Sequence, residues 1–196
     1  MPKYKKKDKF ILDPCCGPKH MWFNKNHPNV IFGDIRREKK GFNWHRKNAE
    51  INPDMIIDFR DLPFPDRSFK LVTFDPPHYV SEKPKPLQMQ IGDGTLSEYP
   101  RKGGVQITVL KYGLLIEEDW KRYLKAGFDE CWRVLEDFGV LIFKWSEVSK
   151  SYKEVLKVIG KEPLFHHISG KYKKMGTYWA VFMKLPEKYN QQETLI

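Results

Sequence analysis

Short apolar runs recur along this chain, each bounded by polar residues, glycine or proline, and they predict buried β-strands. Two longer segments, from Glu117 to Leu135 and from Lys150 to Ile159, instead place apolar residues on one face at helical spacing. Strands together with such helices predict an α/β domain. The predicted strands cover residues 10–12, 30–32, 54–57, 71–74, 139–145, 164–168 and 178–183.

The same pattern makes several local predictions. Cys131 falls on the apolar face of the first helix and is therefore expected in the core. The apolar trio Met21-Trp22-Phe23 is expected to pack on the sheet, and the prolines around it leave room for only a short helix between the first two strands. A turn is expected at Asp137–Gly139. The loop between the last two strands is expected to contain Lys171, Lys173 and Lys174.

An aspartate stands at or near the end of each of the first four predicted strands: Asp13, Asp34, Asp58 and Asp75. Ligands in open α/β sheets bind at the carboxyl ends of the strands. Asp34 follows Asp13 at about the 20-residue spacing from which an acid commonly reaches a ribose. One carboxylate can accept hydrogen bonds from both ribose hydroxyls. For Asp34, an aspartate that only begins a turn is the alternative.

The stretch after the fourth strand combines an acid, two prolines and two aromatic rings, Asp75-Pro76-Pro77-His78-Tyr79. The prolines end the strand and stiffen the turn because neither carries a backbone N–H. An acceptor carboxylate, free carbonyls and a flat ring together suit a planar group that bears an amino substituent. An ordinary surface turn is the alternative, since Asp-Pro and Pro-Pro are common in turns.

A loop of small residues follows the first strand, Asp13-Pro14-Cys15-Cys16-Gly17. Small side chains let the backbone approach a ligand closely, which is typical of nucleotide-binding loops. The competing interpretation is a zinc site formed by Cys15, Cys16, His20 and His27. Because adjacent cysteines do not follow the usual spacing of zinc ligands, we predict no metal site here.

Three motifs resemble those of class I S-adenosylmethionine-dependent methyltransferases. The loop after Asp13 resembles Asp/Glu-x-x-x-Gly-x-Gly, with Lys19 at the place of the second glycine. Asp-Pro-Pro-His resembles the Asp/Asn/Ser-Pro-Pro-aromatic motif of members that methylate adenine N6 or cytosine N4. The run between them resembles a third family motif at Asp58, Leu62, Pro63, Phe64, Asp66, Ser68 and Phe69. As a whole the chain resembles small phage-type adenine-specific methyltransferases.

The resemblance implies a single methyltransferase domain over residues 1–196 that uses S-adenosylmethionine. It implies a Rossmann-like three-layer sandwich around a seven-stranded, mostly parallel sheet with an antiparallel last strand. The implied cofactor-binding residues are Asp13, Pro14, Cys15, Cys16, Gly17, Asp34, Ile35, Asp58, Phe59 and Arg60. In the family, the acid at the place of Asp58 accepts a hydrogen bond from the adenine amino group of the cofactor, and the next backbone N–H meets a ring nitrogen.

The implied catalytic residues are Asp75, Pro76, Pro77 and His78, with Tyr79 binding the substrate. Hydrogen bonds from the acceptor amino group to Asp75 and to the carbonyl of Pro76 would favour a tetrahedral nitrogen and aim its lone pair at the methyl group. His78 or Tyr79 would stack on the base. A target base within a duplex would have to be flipped out.

Composition adds a partner and a location to these expectations. A net charge of +10 with 14% aromatic residues favours nucleic acid as a partner, DNA over RNA, although a basic surface can serve solubility alone. No apolar run approaches the roughly 20 residues of a membrane helix, and the first residues lack a signal-peptide core. We therefore expect a cytoplasmic protein without membrane contact. The oligomeric state is left open.

Two segments, residues 1–9 and 81–116, do not follow the strand and helix pattern. Residues 1–9 form a lysine-rich arm that is expected to be mobile. Residues 81–116, rich in proline and glycine, are expected to be an insertion or a lid loop that contacts the target, with disorder as the alternative.

Other functions remain open: methyl transfer to RNA or to a protein glutamine amide, a degenerate fold that binds nucleic acid without turnover, or a nucleotide-binding protein of another class.

Overall fold

The computed structural model describes residues 8–42, 47–81, 115–172 and 175–190. Its strands are β1 (Ile11–Asp13), β2 (Val30–Asp34), β3 (Met55–Ile56), β4 (Phe69–Phe74), β5 (Val80–Ser81), β6 (Leu115–Ile116), β7 (Leu135–Ser146), β8 (Phe165–Tyr172) and β9 (Met175–Met183). Its helices are α1 (Trp120–Val134), α2 (Tyr152–Ile159) and α3 (Glu187–Asn190). Both predicted amphipathic segments are therefore helical.

Seven of the strands form one sheet in the order β3-β2-β1-β4-β7-β9-β8. β1 pairs in parallel with β2 and β4, β2 with β3, and β4 with β7. β9 runs antiparallel to both of its neighbours, β7 and β8. The prediction of an α/β fold with a seven-stranded, mostly parallel sheet and an antiparallel last strand is confirmed. Because the first strands are parallel, the carboxyl ends of β1, β2, β3 and β4 lie at one edge of the sheet.

The helices form where the apolar positions and the capping residues of the sequence place them. α1 turns one face inward, with Trp120, Leu124, Gly127, Phe128, Cys131 and Val134 buried. At the start of α2, the Ser151 hydroxyl accepts a hydrogen bond from the N–H of Glu154 at 3.2 Å. At its end, Gly160 adopts the left-handed conformation, with a φ of 71°, and bonds back to the carbonyl of Leu156.

α1 and α2 cover one face of the sheet with an apolar core. Phe128 of α1 packs edge-on against Phe182 of β9, with 5.2 Å between ring centroids. Tyr152 of α2 stacks on Tyr178 of β9 at 4.1 Å. Cys131 is fully buried in this core, as predicted, and burial raises the pKa of its thiol well above the ordinary value. The burial of these apolar side chains is the main source of stability on this face.

The opposite face of the sheet is covered, over β1 and β2, by residues 14–29. The predicted short helix is wrong: this stretch consists of turns, because its prolines and Gly17 interrupt any helical run. Trp22 lies on the sheet, edge-on to Phe32 with 5.2 Å between ring centroids, and covers a small cluster that includes Val30. Phe23, predicted to pack beside it, is fully exposed, so that prediction is also wrong.

β7 begins earlier than predicted and contains an irregularity where a turn was expected. Its register against β4 shifts between Phe69 and Leu71. Phe138 adopts a positive φ of 61°, and its N–H donates to the carbonyl of Lys184 at 2.7 Å. Phe69 pairs with Leu135 and Leu71 with Val140, so β4 advances two residues while β7 advances five. The stretch predicted as a turn at Asp137–Gly139 therefore belongs to an irregular segment within β7 that carries three extra residues.

The last two strands also extend further than predicted. Lys171 lies within β8 rather than in the connecting loop, and residues 173–174 lie outside the described residues. The long β8–β9 ladder accounts for the difference, because it continues from Phe165 beside Val181 to Tyr172 beside Met175.

The predicted arm and insertion lie mostly outside the described residues, which omit 1–7 and 82–114. Lys9 is described, and its Nζ donates to the carbonyl of Val30 at 3.0 Å and to Asp54 Oδ2 at 3.2 Å. These contacts join the end of the arm to β2 and to Asp54, and the mobility of the arm stays a prediction. The residues that flank 82–114 pair in parallel, with Val80 beside Leu115. Within the described ranges, no helix has the length and apolar character needed to cross a membrane.

Candidate active site

Four strand ends bring four aspartates to one edge of the sheet. Asp13 and Asp34 end β1 and β2, Asp75 directly follows β4, and Asp58 lies just beyond β3. Asp13 is close enough to Asp75 and Asp34 for their charges to raise its pKa. Of the other predicted site residues, Pro14, Cys16, Gly17, Pro76 and His78 are buried, and Cys15, Ile35, Phe59, Arg60, Pro77 and Tyr79 are half-buried. The structure brings Asp13, Asp34 and Asp75 close together and joins Gly17 to Asp34, while the chemical roles of all these residues remain predictions.

Three of the four aspartates form the same local turn. Their Oδ1 atoms accept hydrogen bonds from the backbone N–H two residues further on, in Cys15 at 3.3 Å, Arg36 at 2.9 Å and Arg60 at 2.9 Å. This arrangement is an Asx turn, which bends the chain away from the end of the strand. Asp34 therefore does begin a turn, and the second oxygen of each carboxylate is left for other contacts.

Asp75 cannot form this turn, because the residue two positions further on is Pro77, which has no N–H. Its Oδ2 instead accepts a hydrogen bond from Lys144 Nζ at 2.6 Å. Its Oδ1 is buried and has no hydrogen-bond partner in the described part of the structure. A buried carboxylate oxygen without a donor is unfavourable. A ligand that brings an N–H to this oxygen would remove that penalty.

Asp13 is a buried acid at the base of the loop of small residues. Its Oδ2 accepts a hydrogen bond from Trp22 Nε1 at 2.7 Å. Burial raises the pKa of Asp13 to about 7; the Trp22 hydrogen bond opposes the rise and the negative charge of Asp75 adds to it. Asp13 therefore exists in both its neutral and its ionised form near neutral pH. Burial also raises the pKa of the Cys15 and Cys16 thiols, which disfavours their thiolate forms.

The loop after β1 has the backbone shape that two glycines would give it. Gly17 has a φ of 48°, and Lys19, at the place of the second glycine of the motif, has a φ of 55°. Glycine adopts this left-handed conformation readily and lysine rarely. The Lys19 ammonium lies 4.1 Å from the ring centroid of Phe32, a cation–π contact that offsets part of the strain. The Gly17 N–H donates to Asp34 Oδ2 at 2.8 Å, which ties the loop to β2.

The residues considered for zinc have other contacts in this structure. Cys16 is buried, and its Sγ lies 3.5 Å from the carbonyl oxygen of Gly17, to which it donates. His27 Nδ1 accepts a hydrogen bond from the N–H of Asn29 at 3.3 Å. Across the described ranges, no three His, Cys, Asp or Glu side chains are grouped in a way that could hold a metal ion.

Asp58 forms a half-buried ion pair with Arg60. Arg60 Nε donates to both carboxylate oxygens, at 2.9 and 3.0 Å, and the guanidinium lies 4.3 Å from the ring centroid of Tyr123. Burial acts to raise the pKa of Asp58, but the hydrogen bonds and charge of Arg60 outweigh it and hold that pKa below its ordinary value. Asp58 is therefore ionised at neutral pH. Phe59 packs edge-on against Phe74 at 5.4 Å, which fixes the backbone beside Asp58.

Arg133 of α1 holds the chain between Asp58 and β4 against the helix. Its guanidinium donates to the carbonyls of Leu62 at 3.0 Å and Phe64 at 2.8 Å, and to Glu130 at 2.7 Å. Glu130 in turn accepts the N–H of Leu62 at 2.7 Å. The sequence signal for this clamp is an acid and an arginine three residues apart on a helix, which fits an ordinary surface pair equally well.

Neither of the two aromatic residues after the prolines, His78 and Tyr79, is fully exposed. His78 is buried and lies edge-on to Trp145, with 6.4 Å between ring centroids. Tyr79 is half-buried, and its carbonyl accepts the N–H of Leu115 at 2.9 Å. His78 can stack on a base only after it leaves this position. Trp179 of β9, which sequence reasoning missed, is half-buried and has its ring centroid 5.4 Å from Lys144 Nζ.

Lys144 is another site residue that sequence reasoning missed. Alternation along β7 places Phe143 and Trp145 in the core, so Lys144 points to the opposite face. A charged residue inside an otherwise apolar strand requires a partner, and that was the available signal. The identity of the partner depends on the register between β4 and β7, which the sequence does not state.

Comparison with known proteins finds solved structures of similar fold. No protein-family model and no curated protein matches the chain. Among solved structures, it is similar to the N-methyltransferase NodS from Bradyrhizobium japonicum WM9, with a TM-score of 0.53 at 10% identity, over 91% of this chain and 86% of NodS. The chain has the fold of this methyltransferase. It is also similar to the PH0226 protein from Pyrococcus horikoshii OT3, with a TM-score of 0.50 at 14% identity, over 93% of this chain and 84% of that protein.

Proposed function

We propose that this protein transfers the methyl group of S-adenosylmethionine to an exocyclic amino group of a nucleobase, with adenine N6 in DNA as the favoured acceptor. The observation that carries the proposal is the state of Asp75, an ion-paired carboxylate at the tip of β4 whose second oxygen is buried and receives no donor from the described residues. An amino group is a donor of the right kind for that oxygen. The fold shared with NodS, which is named as an N-methyltransferase, supports the same class of reaction.

The other three strand ends fit S-adenosylmethionine by the chemistry of their donors and acceptors. The Asp34 carboxylate suits ribose hydroxyls, and the ionised Asp58 with the N–H of Phe59 suits the edge of an adenine. Asp13 is a buried acid at the base of the loop after β1, and a sulfonium cation beside it would stabilise its ionised form. When bound, S-adenosylmethionine would supply an electrophilic methyl group on its sulfonium sulfur. The acceptor nitrogen would bond to the methyl carbon as the carbon–sulfur bond breaks, the neutral thioether would leave, and the nitrogen would then lose one proton.

The residues of this chain would act on the acceptor nitrogen. The amino group of a nucleobase is a poor nucleophile because its lone pair is delocalised into the ring. Hydrogen bonds from its two N–H groups to Asp75 Oδ1 and to the carbonyl of Pro76 would favour a tetrahedral nitrogen with its lone pair directed out of the ring plane. Pro76 and Pro77 restrict the turn, so these acceptors are positioned before the substrate arrives. The Asp75 carboxylate would also stabilise the positive charge that develops on the nitrogen.

Nucleic acid is the favoured source of this amino group because of charge. A net charge of +10 attracts a polyanion and strengthens contacts to phosphate. A base in a duplex would have to be flipped out to reach a strand tip. RNA, a protein glutamine amide and binding without turnover are the alternatives, and one assay separates them.

Labelled-methyl transfer tests the proposed function. The protein is incubated with methyl-labelled S-adenosylmethionine and, separately, with single-stranded DNA, duplex DNA, RNA and a protein extract. We expect the label in DNA, recovered as N6-methyladenine after digestion to nucleosides. Transfer should also weaken as salt rises, because counterion release contributes less to binding. Label in RNA or protein alone would move the proposal to that acceptor. No label in any of them, with DNA still bound, would leave a binding module.

Substitution of Asp58 or Asp34 tests the cofactor site. Asp58→Ala and Asp34→Ala are each expected to weaken S-adenosylmethionine binding by about 1–3 kcal/mol, the scale of a lost hydrogen bond to a charged group. Asp34→Ala also removes the acceptor of the Gly17 N–H. Isothermal titration measures both, with Asp61→Ala as the control because Asp61 is an exposed acid nearby. Wild-type affinity in both variants would reject this cofactor site.

A further inference from the structure

Lys144 lies beside the candidate reaction centre on a neighbouring strand. Its Nζ is 2.6 Å from Asp75 Oδ2, and only 18% of the Lys144 side chain and 14% of the Asp75 side chain are exposed. β4 and β7 pair so that Phe74 lies beside Phe143, which places the following residues of the two strands side by side. The register of the central strands therefore creates this ion pair.

A second neighbour, on the side away from Asp75, also contacts Lys144. Lys144 lies beside Trp179 in the β7–β9 ladder, and its Nζ is 5.4 Å from the ring centroid of that side chain, within cation–π range. Trp179 Nε1 donates to Ser169 Oγ of β8 at 3.1 Å. A row of contacting side chains thus runs from the edge strand β8 across β9 and β7 to Asp75. The ammonium is held between a ring and a carboxylate.

The way Lys144 contacts Asp75 differs from the way Arg60 contacts Asp58 at the same edge of the sheet. Arg60 donates to both oxygens of Asp58, which completes that pair by itself. Lys144 donates to Oδ2 of Asp75, while Oδ1 is buried without a partner in the described structure. Removing two charges from water is unfavourable unless the remaining lone pairs are also satisfied. The Asp75–Lys144 pair is therefore incomplete until a donor reaches Oδ1.

We propose that Lys144 is a positioning residue, which fixes Oδ2 of Asp75 and thereby presents Oδ1 to an N–H of a nucleobase amino group. The proposal rests on the proposed function only for the class of acceptor. It predicts selectivity for amino groups that still carry hydrogen. N6,N6-dimethyladenine has no N–H at this position, so it would leave Oδ1 buried and unsatisfied.

Binding of two single-stranded DNA probes tests this selectivity without requiring turnover. Each labelled strand carries one central base in a run of thymines, adenine in one strand and N6,N6-dimethyladenine in the other, and fluorescence anisotropy measures both affinities. Wild-type protein is expected to bind the adenine strand about 10-fold or more tightly, the scale of a hydrogen bond to a charged group. Lys144→Met should bring the two affinities to within about twofold. Lys144→Arg should keep most of the difference, because a guanidinium can also hold Oδ2.

Lys125→Met is the matched control, since Lys125 forms an exposed pair with Asp129 at the same 2.6 Å distance. If Lys144→Met does not fold, Lys144→Gln takes its place. Equal binding of the two strands by the wild type, no binding of either, or full selectivity in the folded charge-removing variant would each overturn the proposal. Lys144-dependent selectivity without any methyl transfer would support the role of Lys144 and reject the proposed function. Methyl transfer with a selectivity that does not depend on Lys144 would support the proposed function and reject this role of Lys144.

Discussion

Asp75→Ala is expected to lower the rate of methyl transfer by on the order of 100-fold or more, the effect of removing a preorganised electrostatic contact. The contact from the amino group to Asp75 Oδ1 strengthens as the nitrogen becomes tetrahedral and gains positive charge. An interaction that is stronger in the transition state changes turnover more than ground-state binding. Cofactor affinity should therefore change little, because Asp13, Asp34 and Asp58 lie at the other strand ends.

Single-turnover transfer to DNA, measured beside a cofactor titration, separates these two effects. Asp75→Ala also leaves Lys144 without this partner, so thermal unfolding must show that the variant is folded at the assay temperature. Asp129→Ala is the control, because it breaks an exposed lysine–aspartate pair on α1. A folded Asp75→Ala variant that transfers methyl groups at the wild-type rate would remove the tip of β4 from the mechanism.

Asp13→Asn is expected to make the protein more stable above pH 7. The pKa of Asp13 rises from its ordinary value of 3.8 to about 7 in the folded state, mainly through burial. Between these values the folded protein keeps a proton that the unfolded chain has lost, so stability falls as pH rises. Above pH 7 the decrease in the free energy of unfolding is complete and amounts to about 4 kcal/mol. Asparagine stays neutral at every pH, and its one amide oxygen can accept from Trp22 but then not from the N–H of Cys15. The lost Cys15 hydrogen bond costs about 1 kcal/mol at all pH values, less than the gain above pH 7.

Urea unfolding between about pH 4 and pH 9 measures this dependence. The wild type should lose stability relative to Asp13→Asn as the pH rises from about 4 to 7, so the stability of the variant relative to the wild type should be lowest at the acid end. Asp61→Asn, a change at an exposed acid, should leave the slope as it is in the wild type. Parallel curves for the wild type and Asp13→Asn would show that Asp13 titrates at its ordinary pKa.

The four aspartates at the strand ends show why much of this site is readable from sequence. Asp13, Asp34 and Asp75 each follow a short apolar run, and a parallel sheet brings the ends of such runs to one edge. The prediction that these strands are parallel was therefore enough to predict that the three carboxylates lie at the same edge of the sheet. The hydrogen bonds of these carboxylates were not predicted together. The sequence does show the difference between them: Arg36 and Arg60 stand two positions after Asp34 and Asp58 and carry a backbone N–H, whereas Pro77 stands two positions after Asp75 and has none.

The contacts that sequence reasoning missed depend on register and on packing between distant segments. Lys144 meets Asp75 only because β4 and β7 align Phe74 with Phe143. Phe138 reads as part of a turn, but a hydrogen bond to the chain after β9 keeps it within a strand. Trp22 and Phe23 are neighbours of similar character, and only the path of the turns decides that one is covered and the other exposed.

The proline at position 77 also bears on how this protein can change by mutation. Any other residue there would offer its N–H to Asp75 and could complete the turn already formed at Asp13, Asp34 and Asp58. Such a change would satisfy a buried oxygen and favour the folded state, while it occupied the atom that the proposed reaction uses. Selection for stability alone therefore acts against this proline. At the tip of β4, stability favours a donor from the protein itself for Asp75 Oδ1, whereas the proposed reaction requires that atom to be left for the substrate.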